Sequence, residues 1–432
     1  MRSMSETPRR PPLMPLDDAL ARLLAAAAPL GRTEIVDTFD ADGRVLAQDL
    51  VSALHVPPQD NSSMDGYAVR AADVRAAGVE LPVTQRIAAG HAGGPLAPGS
   101  AARIFTGAPM PAGADAVVMQ EDTQALDDGA RVRLNVVPTP GQWVRAAGED
   151  VTRGAAVLQK GERLAPASIG LAAGIGMASL PVAARPRVAL FSTGDELVMP
   201  GAVPPEAMQP GAIYNSNRFF LRALLHRLGC AVSDLGIVPD DRDATLQALR
   251  QAADGHDLIL TSGGVSVGEE DHIKPAVEQL GALDLWQIAM KPGKPFAYGS
   301  IAAPSSRRDA PNVDAPPSTV CHFMGLPGNP VSSYVTFLLL VRPFLLRLQG
   351  ARDVALPTLA MRADFTLAKA DKRREFLRAR RNAQGGLELF GNQSSGVLTS
   401  AHWADGLIDL PAGQTIAAGD MVRFIPVREL LA

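Results

Sequence analysis

The sequence predicts a multidomain protein of mixed class, α/β plus β, in which one parallel α/β domain is flanked by β-rich units. Three observations predict it. The chain has 432 residues, more than one ordinary hydrophobic core holds, which points to about two to four domains. Between residues 185 and 355 short apolar strands alternate with helix-patterned segments, the signature of a parallel sheet with crossover helices. On either side of that stretch, short alternating segments punctuated by Gly and Pro read as small β domains.

Taken in order, Met1 to Pro15 is rich in Pro, Arg and Ser and lacks an apolar core segment, so it reads as a frayed tail and not a secretory signal. Leu16 to Leu30 has helical apolar spacing, with Asp17 and Asp18 in the first turn where negative charge suits the helix dipole. Strands follow at Leu81–Ala88, Ala101–Phe105, Ala116–Met119 and Val132–Val137. Leu164 to Ala184 carries no charge and is nominally long enough to span a membrane. Pro166, Pro181 and its glycines make it instead a small buried helix ending near Gly174 or Gly176, then a strand start after Pro181. No membrane association is expected.

The α/β stretch opens with the strand Arg187–Phe191. Asn215–Asn217 then cap a helix that runs to Leu228 and stops at Gly229. The strand Ala231–Val238, the helix Asp243–Ala252 and the strand Asp257–Thr261 come next, with a third helix starting near Asp271. Leu283–Ala289 and His322–Leu326 are further strands, the latter followed by a helix from Pro330 to about Leu348. Ile301 to Ser318, rich in Ala, Pro, Ser, Arg and Asp, reads as a mobile surface insertion. From Pro357 onward short alternating segments return, as in a small C-terminal β domain.

Composition excludes several classes. Hydrophobic residues make up 47% and charged ones 20%, as in a chain with true cores. The net charge of −4 argues against nucleic acid as a partner, and it leaves any anionic ligand to a local cluster of cations. Two distant cysteines, Cys230 and Cys321, form neither a disulfide framework nor a zinc site and suit a reducing, cytoplasmic compartment.

The chemistry gathers behind the strands. Ser192-Thr193-Gly194-Asp195-Glu196, Pro239-Asp240-Asp241, Ser262-Gly263-Gly264-Val265-Ser266-Val267-Gly268, Lys291-Pro292-Gly293-Lys294-Pro295 and Gly325-Leu326-Pro327-Gly328-Asn329-Pro330 each follow one. Ligands of open parallel sheets bind outside the carboxyl ends of strands, so these five loops converge on one edge. Glycines admit an anion to backbone amides, and helix N-termini add positive potential. Lys291 and Lys294 neutralise an oxyanion. Glu196, Asp240 and Asp271 are the hard oxygen donors that Mg²⁺ accepts beside substrate phosphates. Any one such loop is more often only a turn, and an Asp before a helix, such as Asp271, is more often a cap; the five together favour metal-assisted chemistry on a phosphorylated substrate.

Other motifs are weaker. Gly264 to Gly268 spells G-x-S-x-G, the elbow of a serine hydrolase, but an elbow joins strand directly to helix and needs an acid and a His downstream. Thr261 ends the strand well before the helix, and His322 and His402 sit in no matching context. There is no Walker A sequence, and Gly174-Ile175-Gly176 is a poor dinucleotide fingerprint. Asp60-Asn61-Ser62-Ser63-Met64-Asp65-Gly66-Tyr67-Ala68, Arg103 to Pro109, Gly113-Ala114-Asp115 and Gly148-Glu149-Asp150 read as turns. Lys372-Arg373-Arg374 with Arg378, Arg380 and Arg381 is a basic run; on a strand, Arg374, Phe376, Arg378 and Arg380 share one side, a strip that suits a small anion.

Six segments in order, Asp60–Ala68, Thr106-Gly107 with Gly113 to Val118, Ser192–Leu197, Thr261–Asp271, Lys291–Phe296 and Gly325–Ser333, resemble the MoeA family, also known as the E domain of gephyrin-like proteins. The resemblance runs from Leu16 to the end. It implies four domains: a linking domain from residues 15–55 and 151–184, an inserted β domain at 56–150, a MogA-like molybdopterin-binding α/β domain at 185–355, and a C-terminal β-barrel at 356–432. It also implies a homodimer with the active site at the subunit interface. The implied activity is molybdopterin molybdenumtransferase: adenylylated molybdopterin and molybdate, with Mg²⁺, give molybdenum cofactor and AMP. An upstream adenylyltransferase and molybdoenzyme acceptors are the implied partners.

By that resemblance the functional carboxylates fall on Asp65, Asp150, Glu196, Asp240 and Asp271, with Glu196, Asp240 and Asp271 at the metal. The lysine of the K-P-G-K-P loop is Lys291, and Lys294, Arg378 and Ser395 belong to the molybdate pocket. Thr193, Gly194, Ser262, Gly263, Gly264, Ser266, Pro327, Gly328 and Asn329 form the substrate-binding loops. This chain departs from the family pattern at Gln287, where a basic residue is common, and at Ser63, often Ala. The rival expectations are a molybdopterin adenylyltransferase, whose fold shares the central domain, and a non-catalytic pterin-binding scaffold.

Overall fold

A computed structural model describes residues 12–264, 272–302 and 320–430. Ser266 and Asp271, the G-x-S-x-G segment beyond Gly264 and most of the 301–318 insertion lie outside the described residues.

Three six-stranded sheets carry the molecule. The central one comprises β1 (Arg187–Thr193), β2 (Ala231–Val238), β3 (Leu258–Ser262), β4 (Gly281–Gln287), β5 (Pro295–Ala302) and β6 (Val320–Leu326), in the order β2-β1-β3-β6-β5-β4. The expected all-parallel sheet is corrected at one place. β5, which starts on the last residue of the Lys291–Pro295 loop and which the sequence pattern leaves unassigned, is a strand antiparallel to both β4 and β6. The other five run in one direction, so every loop singled out above still leaves the same edge. Register sharpens this: Ser192 lies opposite Ser262, Ser262 opposite Leu326 and Thr193 opposite Val238.

Both faces of this sheet are covered, as a parallel sheet requires. The helix Asn217–Arg227 and the rod Pro330–Leu348 bury Leu221, Leu224, Leu225, Val335 and Phe344 against one face. The helices Arg242–Ala253 and Ile273–Leu280 cover the other, through Leu246, Leu249, Ile273 and Val277. At about 25 cal/mol per Å² of apolar surface these layers dominate the stability of the domain. The rod Pro330–Leu348 is the one helix among the described residues long and apolar enough to cross a membrane, and 89% of it is buried inside the protein. Leu164–Ala184 folds as a helix, Pro166–Gly174, and a strand, Ser179–Ala183, but the helix buries only Ala172, so it is a surface helix and not a buried one. The strand starts two residues before Pro181 instead of after it, because Ser179–Ala183 pairs along its length with Thr33–Asp37.

The N-terminal helix is shorter than its spacing predicts, Leu16–Ala26. Pro29 disfavours helical backbone at Ala28, and Ala27 turns extended. The segment before it is not frayed throughout: Met14 donates its N–H to the Gln287 carbonyl at 2.8 Å and accepts one from Ala289 at 2.8 Å. Strand Thr33–Asp37 pairs with Ser179–Ala183, and Leu50–Val51 with Ala156–Leu158, so residues before 52 share a core with residues after 150. Between them, residues 66–134 form their own six-stranded sheet. In the third sheet Arg374–Arg381 is central, and a bridge from Ala363 to Leu387 ties the end of the strand Leu359–Arg362 to the strand Leu387–Leu389, curling the sheet into a barrel around Leu377, Ile408 and Phe424.

Candidate functional site

The aligned strand ends open into a cleft of about 810 Å³. Thr193, Gly194, Glu196, Asp240, Ser262, Gly263, Gly264, Pro327, Gly328 and Asn329 all line it. Ten of the residues singled out from sequence therefore meet in one place.

Close backbone approach explains the glycines. Gly263 has φ +97°, and a Cβ there would sit 2.8 Å from the Thr193 carbonyl oxygen, so only glycine lets the loops after β1 and β3 touch. Gly194 has φ +136°, and its missing Cβ leaves room for the Glu196 carboxylate, whose Oε2 lies 2.5 Å from where that carbon would be.

A third loop is clamped by a residue that sequence reasoning took for a helix cap. Asn217, 9% exposed, donates from Nδ2 to Ser262 Oγ at 2.8 Å and to the Gly328 carbonyl at 2.7 Å. Ser262 passes its own proton toward the Pro327 carbonyl at 3.5 Å, and Gly263 N–H reaches the Leu326 carbonyl at 3.1 Å. Neighbouring Asn215, Ser192, Tyr214, Ser332 and Gly396 also line the cleft. The one sequence signal for the asparagines is their spacing, two in three residues at a helix start, which a capping function explains equally well.

The charges divide unevenly. Glu196 is exposed and Asp240 half-buried. Lys294 makes no salt bridge among the described residues, and Pro295, next to it, lines the cleft. Lys291, by contrast, leaves the sheet edge. Met290–Lys291 pairs as a strand with Arg374–Glu375 of the barrel, and the ammonium sits 2.8 Å from Glu375 and 3.2 Å from Asp371. Its hydrogen bond to Glu375 raises the Lys291 pKa, and a hydrogen bond from Arg373 holds Asp371 well below the usual carboxylate range.

Arg378 is also not open to the cleft. It is 1% exposed, donating to Ser400 Oγ at 3.2 Å and to the carbonyls of Phe376 at 3.0 Å and Ser394 at 3.4 Å. Burial lowers its pKa to about 10, against the smaller opposing pull of the Glu375 carboxylate. It faces a separate cavity of about 310 Å³ with Phe220, Tyr334 and Arg227. Ser395 touches the cleft's wall through its backbone, its carbonyl accepting from Val331 N–H at 2.9 Å. The strip Arg374–Arg380 is no open anion site: Arg374 is spent on Asp409 and Asp17, and Arg380 on Glu388.

Asp65 and Asp150 belong to neither cavity. Thr106 donates to Asp65 Oδ1 from both its N–H and its hydroxyl at 2.8 Å, which lowers the Asp65 pKa. Asp150 is exposed and lines a hollow of about 450 Å³ with Pro57, Asn61 and Arg145.

Comparison with known proteins covers the whole fold. Residues 14–176 match the MoeA N-terminal region (domains I and II), 189–347 a probable molybdopterin binding domain, and 360–427 the MoeA C-terminal region (domain IV). A molybdopterin molybdenumtransferase of Haemophilus influenzae is 38% identical over 426 residues, covering 97% of this chain and 100% of that one. Molybdopterin molybdenumtransferase 2 of Mycobacterium tuberculosis is 37% identical over 417 residues, covering 94% and 96%. The crystal structure of a molybdopterin biosynthesis moeA protein from Pyrococcus horikoshii OT3 superposes with a TM-score of 0.80 at 27% identity, covering 96% of this chain and 99% of that one.

Proposed function

The chain belongs to the MoeA family, and from that membership we infer that it is a molybdopterin molybdenumtransferase, a transferase that inserts molybdenum into molybdopterin in molybdenum cofactor biosynthesis. The observation that carries the reading in this chain is the cleft, where five strand ends bring two carboxylates, glycine-opened amides and a helix N-terminus to one point. Neither the adenylyltransferase nor the scaffold alternative is favoured, because the relatives' likeness extends through the N-terminal and C-terminal regions as well.

We further propose that the substrate is the adenylylated pterin and that AMP is the second product. Asn217 and Ser262 hold the loops after β3 and β6 in register, so that the glycine loop after β3 and the N-terminus of the helix from Pro330 receive the phosphates. Lys294 is the cation left to meet molybdate, while Lys291 and Arg378 brace the barrel against the cleft. A molybdate oxygen attacks the adenylate phosphorus and the pyrophosphate P–O bond breaks. AMP leaves with that oxygen as molybdenum passes to the two dithiolene sulfurs.

Mg²⁺ fits this donor set. Among the described residues no group of three or more His, Cys, Asp or Glu side chains converges on one point, but Mg²⁺ is commonly held by one or two carboxylates plus substrate phosphates. Glu196 and Asp240 are the residues that would hold it, and it would neutralise phosphoryl oxygens there.

A homodimer in the cytoplasm completes the proposal. Asp65 and Asp150 stand apart from this chain's cleft, where a second copy could present them. Phe39, 94% exposed, and Ile35, 68% exposed, are large apolar side chains that a second copy would cover. The upstream adenylyltransferase and the molybdoenzyme acceptors are the partners this reaction needs at either end.

The test is AMP release from adenylylated molybdopterin and Mg²⁺, with and without molybdate. Molybdate-dependent release is the expected result. Tight pterin binding with no release at any molybdate concentration would refute the transferase reading.

A further inference from the structure

Several polar side chains that line the cleft are buried, and four of them divide into two kinds. Asn217 and Ser262 satisfy each other and the loop carbonyls, as described. Ser192, 0% exposed, and Asn215, 2% exposed, do not: Ser192 Oγ and Asn215 Nδ2 are buried with no hydrogen-bond partner, and both residues line the cleft. A buried donor left unpaired costs free energy that folding must recover elsewhere, so such groups usually await a ligand.

The orientation of the Asn215 amide is fixed by its surroundings. Arg218 N–H donates to Asn215 Oδ1 at 3.2 Å, so the oxygen must face the helix and the NH₂ must face away from it. The backbone is held as well: Asn215 N–H donates to the Val198 carbonyl at 2.9 Å, and Ile213 N–H to the Glu196 carbonyl at 2.8 Å. Nδ2 therefore stands on a braced turn beside the loop that carries Glu196.

We infer that Ser192 and Asn215 are specificity-determining residues that read the acceptor edge of a planar heterocycle in the substrate. The inference rests on the transferase reading and says which part of the substrate meets this floor. Neutral, fully buried donors suit a ring carbonyl or ring nitrogen. A phosphate placed there would be desolvated without a cation, whereas amides, a helix N-terminus and Lys294 wait at the other loops. Leu197, Ile213 and Tyr214 supply the apolar wall that a flat ring needs. Pterin and adenine share this chemistry.

The experiment titrates the full-length protein with molybdopterin and, separately, with AMP, for wild type, Ser192→Ala and Asn215→Asp. Asn215→Asp keeps the oxygen that caps Arg218 and replaces the donor with an acceptor. Each variant should weaken binding of one of the two ligands about five- to tenfold, the cost of one lost hydrogen bond, and leave the other unchanged; which ligand responds identifies the ring. Ser192→Ala should not lower the melting temperature of the unliganded protein, because it removes an unsatisfied group. Unchanged affinity for both ligands, equal loss for both, or a lower melting temperature in Ser192→Ala would overturn the inference. Wild-type protein that binds neither ligand would instead overturn the functional reading itself.

Discussion

Asn217→Ala isolates the clamp that joins three loops of the cleft. The substitution deletes the hydrogen bonds to Ser262 Oγ at 2.8 Å and to the Gly328 carbonyl at 2.7 Å. Each is worth about 1 kcal/mol net, and the Gly328 carbonyl, if left without a donor, adds about 1–3 kcal/mol. Together the loss is about 3–5 kcal/mol, which for a domain of this size lowers the melting temperature by roughly 6–20 °C. The second consequence is functional: the loop after β6 loses its tie to β3, so the Michaelis constant for the adenylylated pterin should rise more than tenfold. Asn217→Asp serves as the shape-matched control. Its carboxylate faces the Gly328 carbonyl without a proton to give, while Ser262 can turn its hydroxyl to donate, so half of the clamp survives. Circular dichroism melting and AMP-release kinetics on the three proteins decide the matter. An Asn217→Ala protein with wild-type melting and a wild-type Michaelis constant would show that the loops are placed by the sheet alone.

The Lys291 clasp and the two cysteines give further expectations. The Lys291 pKa is raised, so its contribution is complete below its unfolded value and is lost only as pH climbs through the folded one. The Asp371 pKa is depressed, so its contribution is complete above the unfolded carboxylate range and fades as pH falls below it. The difference in urea midpoint between wild type and Asp371→Asn should therefore be level near neutral pH and shrink below about pH 4; a difference that grows in acid contradicts the assignment. Cys230 and Cys321 are buried, and burial pushes the Cys230 thiol up to about 12. Neither should react with a thiol-exchange reagent at pH 8 until the protein is unfolded, and prompt labelling of the native protein would refute this.

Much of the fold was legible because its signals are local. The strand Ala231–Val238 spans the residues expected, and apolar runs bounded by glycines marked the other parallel strands. β5 was not legible: it begins at Pro295, inside a segment whose Pro and Gly content reads as a loop, and its pairing with β6 needs partners about 25 residues away. The site was legible at the level of loops for the same reason, since strand ends and glycines are written in sequence. What sequence could not show is how charges are spent. Lys291 and Arg374 look like free cations until the third sheet brings Glu375 and Asp409 to them and the N-terminal helix brings Asp17. Asn215 and Asn217 look alike, and only packing separates the one whose donors are used from the one whose donor is not.

The pairing of Met14 with the backbone around Ile288 has a consequence for the order in which the molecule can be made. The first described residues lack partners until much later ones exist: Arg32 waits for Asp257, Met14 for Ile288, Leu30 for Leu348 and Asp17 for Arg374. During synthesis the N-terminal helix must therefore emerge and stay unburied while more than half of the chain follows it. Its backbone ties lie beside the strand that leads into the Lys291 loop, so its burial depends on residues made long after it.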